Sequence, residues 1–124
     1  MKKLLIALFV LFGATTMTFA QEANEIATTK GAKVLASSKT SGQYTFTMPS
    51  NITQADIDKN AKYYTHYFTV TFDESSRTAG IEMVENTEKN RYVIARFLTA
   101  CGVRYLTVDD ANLELHDFIE KHLK

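Results

Sequence analysis

One cysteine, one proline and no tryptophan occur among 124 residues. The lone Cys101 excludes an internal disulfide, so the fold is held by packing alone. The five glycines are scattered, and none forms a Gly-rich phosphate loop or a Gly-x-Ser-x-Gly elbow. Neither sign of charge dominates, with 14 basic against 14 acidic residues. The basic residues are spread along the chain and leave no electrostatic footprint for nucleic acid. Beyond residue 20 no stretch is apolar enough to span a membrane.

What is present begins with a leader. Met1-Lys2-Lys3 is a positive start, and Leu4 to Phe12 is an unbroken apolar run. Small and polar residues follow, ending Thr18-Phe19-Ala20. These three parts, in this order, predict a secretory signal peptide over 1–20, cleaved after Ala20. The apolar run is about half the ~20 residues a membrane helix needs. The leader holds two of the basic residues and no acid, which leaves a mature chain of 104 residues with net charge −2. That is one domain with enough chain for a core. The short Lys-Lys start suggests a bacterial protein, periplasmic or secreted.

Residues 21–42 are rich in Ala, Ser, Thr, Lys and Gly, and read as a flexible lead-in with a short strand over 33–37. From residue 43 to 124 the pattern sharpens. Tyr44-Thr-Phe46-Thr-Met48 alternates like a half-buried strand, ended by Pro49 and Ser50. Thr53 and Asp56 lie at near-capping-box spacing, with Ile52 and Ile57 placed as a hydrophobic staple. Ile57, Ala61 and Tyr64 then form one helical stripe. Phe68, Val70 and Phe72 alternate through a second strand, and Ala79, Ile81 and Met83 through a third, joined as a hairpin. A second helix from about Thr87 to Cys101 carries Ile94, Phe97, Leu98 and Cys101 on one face, and Gly102 stops it. Val103 to Val108 is a fourth strand. Asp109 or Asp110 then caps a last helix bearing Leu115, Phe118, Ile119 and His122. The order predicts an α+β fold, a ferredoxin-like β-α-β-β-α-β sandwich with an added C-terminal helix. The sheet face away from the helices would show Thr45, Thr47, Tyr67, Thr69, Thr71, Gly80 and Glu82.

Within this frame, Phe46-Thr47-Met48-Pro49-Ser50-Asn51-Ile52-Thr53, followed by Ile57 and Ala61, resembles the strand–helix junction of the heavy-metal-associated domain family. The resemblance covers 44–108. It implies a ferredoxin-like metallochaperone scaffold whose signature is Met-x-Cys-x-x-Cys. Met48 matches the family's Met, while Ser50 and Thr53 stand where the cysteines belong. Hydroxyls are hard and protonated near pH 7, whereas soft ions such as Cu(I) select thiolates. Metal binding is therefore not carried over to Met48, Ser50 and Thr53.

No constellation of catalytic residues emerges, so the chain reads as no enzyme and as needing no cofactor. Cys101 sits on an apolar stripe at a helix C-terminus, which fits a buried, inert thiol. His116 and Glu120 could share a surface ion by their spacing. His122 reads as a helix-end residue favoured when charged. The densest local composition is Tyr63-Tyr64-Thr65-His66-Tyr67-Phe68, with Tyr63 and Tyr67 off the apolar stripes and suited to an interface. The expectation is a non-enzymatic binding module using Tyr63, Tyr67, Thr69 and Thr71, with a protein partner or a homodimer on the open sheet face. The alternative is a periplasmic metal-handling protein that uses ligands other than cysteine.

Overall fold

The computed structural model describes residues 23–124. The signal-peptide reading of 1–20 lies outside them. The elements are β1 (Ile26–Thr28), α1 (Ala32–Ser41), β2 (Gln43–Thr47), α2 (Gln54–Ala61), β3 (Phe68–Asp73), β4 (Thr78–Met83), α3 (Glu88–Ala100), β5 (Tyr105–Val108), β6 (Ala111–Glu114) and α4 (Leu115–Phe118). A π-helical turn, Ile119–Leu123, continues α4. The six strands form one mixed sheet in the order β3-β4-β2-β1-β5-β6.

This α+β architecture departs from the ferredoxin-like expectation at one seam. The run β3-β4-β2 has the order a split βαβ unit requires, antiparallel throughout. The fourth expected neighbour, β5, does not pair with β2. The strand β1 lies between them, antiparallel to β2 and parallel to β5. The supposed lead-in is thus a sheet strand and a helix, and 33–37 is helical rather than extended. Three residues are too few to show alternation, although Ala27 is fully buried. In α1 only Leu35 and Ser38 are buried, so its sequence carries no stripe.

The second correction concerns Asp109 and Asp110. They form the tight turn of a β5–β6 hairpin, Asp109 at φ 55, instead of capping the last helix. Asp109 does serve a helix start, but that of α1. Its Oδ2 accepts the Ala32 N–H at 3.3 Å, where a carboxylate favours the helix dipole. Gly31 allows this close approach. It sits at φ 112, and a Cβ there would lie 2.5 Å from Asp109 Oδ1.

Thr53 caps α2 as its spacing predicts. Its hydroxyl accepts from Asp56 N at 3.2 Å, and Asp56 Oδ2 accepts from Thr53 N at 3.0 Å. The core joins Tyr44, Phe46, Phe68 and Ile81 of the sheet to Ile57, Ile94, Phe97 and Leu98 of the helices. The C-terminal turn closes this helical layer: Phe118 meets Phe46 edge-on at 6.2 Å between ring centres. The π-helical winding sets Phe118 and Leu123, five positions apart, both at 0% exposure. The last helix therefore extends the helical layer, and among the described residues the other sheet face is bare.

Phe118→Ala removes a buried ring from the centre of this layer and should cost about 3–5 kcal/mol in chemical denaturation. Thr53→Ala should cost about 1 kcal/mol at neutral pH. The Thr53 N–H and hydroxyl hold the Asp56 carboxyl below its ordinary pKa. A depressed carboxyl stabilises the fold above its unfolded pKa, so the Asp56 side of the box should fade as pH falls through the lowered value. Asp56→Asn should accordingly be less stable than the parent at pH 7, with the gap narrowing in acid; a constant gap would refute the capping account.

Candidate functional site: the bare sheet face and the β3 edge

Side chains alternate across a strand, and here the alternation separates two chemistries. One face is the core. The other carries a row running across all six strands in register, Asp73–Thr78–Thr47–Thr28–Thr107–Asn112. Four adjacent threonines occupy its middle. β-Branched Thr suits a pleated, half-exposed surface, and facing Thr pairs add about 0.2–1 kcal/mol each. Beside this row lie Thr71, Gly80 and Thr45, then Thr69, Glu82 and Gln43. The strand residues of this face include the carboxylates Asp73, Glu82 and Glu114 and no Lys or Arg. Gly80 leaves a dimple, since a Cβ there would lie 2.8 Å from Thr71 Oγ1.

At one side the sheet ends in β3. Val84 N donates to Tyr67 O at 3.0 Å, and Met83 N donates to Gly42 O at 2.8 Å. With the register Thr69↔Glu82 and Thr71↔Gly80, these bonds fix the alternation. Thr69, Thr71 and Asp73 turn their backbone groups toward β4. Phe68, Val70 and Phe72 turn theirs outward. The outward Phe68 N–H is met by Tyr64 O at 3.1 Å. Among the described residues nothing meets those of Val70 and Phe72. Natural edges are usually blunted by Lys, Pro or a bulge; Phe68 to Phe72 has none.

Of the four residues expected to bind, Thr69 and Thr71 lie in this edge strand and Tyr67 immediately precedes it. Thr69 and Thr71 are exposed on the bare face. Tyr63 is 70% exposed, with the Lys62 ammonium 5.5 Å from its ring centre. Tyr67 is less available than its spacing suggested: it is half-buried and packs against the core, with His66 edge-on at 5.4 Å. Val70 and Phe72, which periodicity assigned to the core alone, are only half-buried on the helix side of the same edge. A signal for them was in the sequence. Phe68-Thr69-Val70-Thr71-Phe72 reads the same in both directions about Val70.

The other candidates are placed apart from this edge. Met48 is buried at 1% exposure, Ser50 is exposed, and the Thr53 hydroxyl is engaged in its cap. Among the described residues no three His, Cys, Asp or Glu side chains gather as a metal site. Glu120 pairs with Lys124 at 3.3 Å rather than with His116. His122 differs from expectation: burial first, then the neighbouring Lys121, lowers its pKa, so the charged form is disfavoured. Tyr44, 1% exposed, has a hydroxyl without a partner, and burial pushes its pKa up to about 12 against the opposing charge of Arg91. Cys101 is 7% exposed, and burial pushes its thiol up to about 11, against a contact from Asn60 Nδ2 at 3.7 Å. Among the described residues no helix is long and apolar enough to cross a membrane. The chain matches no family model, no curated protein and no solved structure.

Native Cys101 should react with a thiol-specific disulfide reagent at pH 8 far more slowly than the denatured chain, because the thiolate is the nucleophile. Equal rates would show an open, ionised thiol.

Proposed function

We propose that this chain is an exported, non-enzymatic binding module, periplasmic or secreted from a bacterium, that assembles with a second copy of itself by strand addition along β3. The observation that carries this reading is the palindrome Phe68-Thr69-Val70-Thr71-Phe72 on an edge where, among the described residues, the outward backbone groups of Val70 and Phe72 are unmet. A two-fold axis at Val70 aligns two copies antiparallel. Val70 then exchanges both backbone bonds with its counterpart. The Phe72 N–H of each copy donates to the Phe68 carbonyl of the other. Phe faces Phe and Val faces Val on the helix side, while Thr faces Thr on the bare side. Such self-complementarity is what a closed two-fold interface requires.

Pairing at the edge is favoured over stacking of the bare faces. Stacked faces would bring Asp73, Glu82 and Glu114 of one copy toward the same carboxylates of the other, with no Lys or Arg among the strand residues of either face. Edge pairing leaves both threonine faces free for a further partner. The order β3-β4-β2 supports a scaffold akin to the heavy-metal-associated family, from which the inserted β1 departs. The engagement of Thr53 as a helix cap supports a role other than metal carriage.

Size-exclusion chromatography with light scattering tests the assembly. The parent should run as a dimer, and Val70→Pro and Thr71→Lys should run as monomers. The Val70 N–H points away from β4, so proline there removes no bond of the β3–β4 ladder. Far-ultraviolet circular dichroism should confirm that both variants fold. A monomeric parent at high concentration, or a dimer that survives in both folded variants, overturns the reading.

A further inference from the structure

A separate site lies in the helical layer, away from the β3 edge. Lys39 near the end of α1, Arg91 near the start of α3, and Lys121 and His122 of the C-terminal turn line one cavity of about 410 Å³. Ala32 and Ala36, one turn apart on α1, keep it open with their small side chains. Among the described residues no carboxylate lines it. Among the described residues the only ion pairs are Arg104 with Glu25 and Lys124 with Glu120, so Lys39, Arg91 and Lys121 are without a counter-charge. Asp109 keeps its negative charge nearby, acting on His122 from the β5–β6 turn while accepting the Ala32 N–H, but it does not line the cavity.

The Arg91 guanidinium is held in place. Arg91 Nε donates to Leu123 O at 2.9 Å, and Nη1 donates to Asn86 Oδ1 at 3.1 Å. Asn86 Nδ2 in turn donates to Lys39 O at 2.6 Å. One network therefore fixes the guanidinium and ties it to all three elements around the cavity. A guanidinium has five N–H donors, so donors remain for a ligand. Gathering three like charges into one cavity is unfavourable unless an opposite charge joins them, and a preorganised fork binds oxyanions in paired hydrogen bonds.

We infer that this cavity binds a multiply charged oxyanion, phosphate or a phosphate ester, between Lys39, Arg91 and Lys121. Arg91 provides the fixed fork, and the two lysines provide point charges from α1 and the C-terminal turn. The site is independent of assembly, so it stands or falls apart from the pairing of copies at β3.

The test is titration of the full mature chain with inorganic phosphate against chloride at equal ionic strength, followed by amide chemical shifts. Saturable shifts should centre on Lys39, Thr40, Arg91 and His122. The double variant Lys39→Gln, Lys121→Gln leaves the Arg91 network intact and should weaken binding by about tenfold or more, given the strength of charge-assisted bonds. Val70→Pro should bind phosphate as the parent does. Shifts that never saturate, or a folded double variant that binds as tightly as the parent, overturn the inference.

Discussion

The docking of the C-terminal turn, through buried Phe118 and Leu123 and the 2.9 Å hydrogen bond from Arg91 Nε to the Leu123 carbonyl, sets the character of both sheet faces. A helix terminus leaves its last carbonyls without intrahelical partners. Here one of them is taken by a guanidinium reaching across from α3. The bond holds the π-helical turn in the helical layer, where Phe118 and Leu123 are fully buried. Had the same segment crossed to the other side of the sheet, its apolar residues would have covered the threonine row. Instead the row remains in water, and the cation that anchors the turn also lines the cavity beside Lys39 and Lys121. The docked turn thus closes the core, leaves the threonine row uncovered by it and completes the lining of the cationic cavity.

Long periodic segments were legible because burial and period coincide in them. The strands β2, β3 and β4 and the helices α2 and α3 follow directly from Tyr44/Phe46, Phe68/Val70/Phe72, Ala79/Ile81/Met83, Ile57 and Ile94/Phe97/Leu98. The cap of α2 was legible for a different reason: Thr53 and Asp56 make a local bond that needs no tertiary partner. The missed elements are those whose reason lies far away in sequence. The strand β1 exists because Glu25 O accepts from Arg104 N and Tyr105 N, and Thr29 N donates to Thr107 O. None of these partners can be read from Ile26-Ala27-Thr28. In α1, Leu35 alone supplies a large buried side chain, and the Asp109 carboxylate at its start comes from 77 positions away. The hairpin turn at Asp109-Asp110 reads as a helix cap because the same short carboxylate side chains suit both roles.

The candidate sites divide in the same way. Thr69 and Thr71 were visible from strand parity, and the open face they occupy follows from one-sided hydrophobicity. The cationic cavity was invisible: Lys39, Arg91 and Lys121 are unremarkable along the chain, and only the packing of α1, α3 and the C-terminal turn brings them together. The lowered pKa of His122 belongs to that packing too. A helix-end position favours a charged imidazole, but burial and Lys121 outweigh the dipole once the turn is docked.

An unprotected edge strand is a hazard unless its pairing is limited, and the two edges of this sheet are unequal in a way that limits it. Growth into an open fibre needs head-to-tail contact between β3 of one copy and β6 of the next. The outer strand β6 is four residues long, Ala111-Asn112-Leu113-Glu114, exposed at three of them and only partly buried at Leu113. It presents an amide and a carboxylate where β3 presents hydroxyls and aromatic rings. Across such a contact few apolar pairs form, and Glu114 would have to be placed beside a strand whose one charge, Asp73, has the same sign. Two copies of β3 match residue for residue, and once joined neither has an outer edge of that kind left. In the proposed assembly like edges close on each other, whereas unlike edges would propagate. The composition of β3 favours the closed arrangement, and the shortness and charge of β6 disfavour the open one.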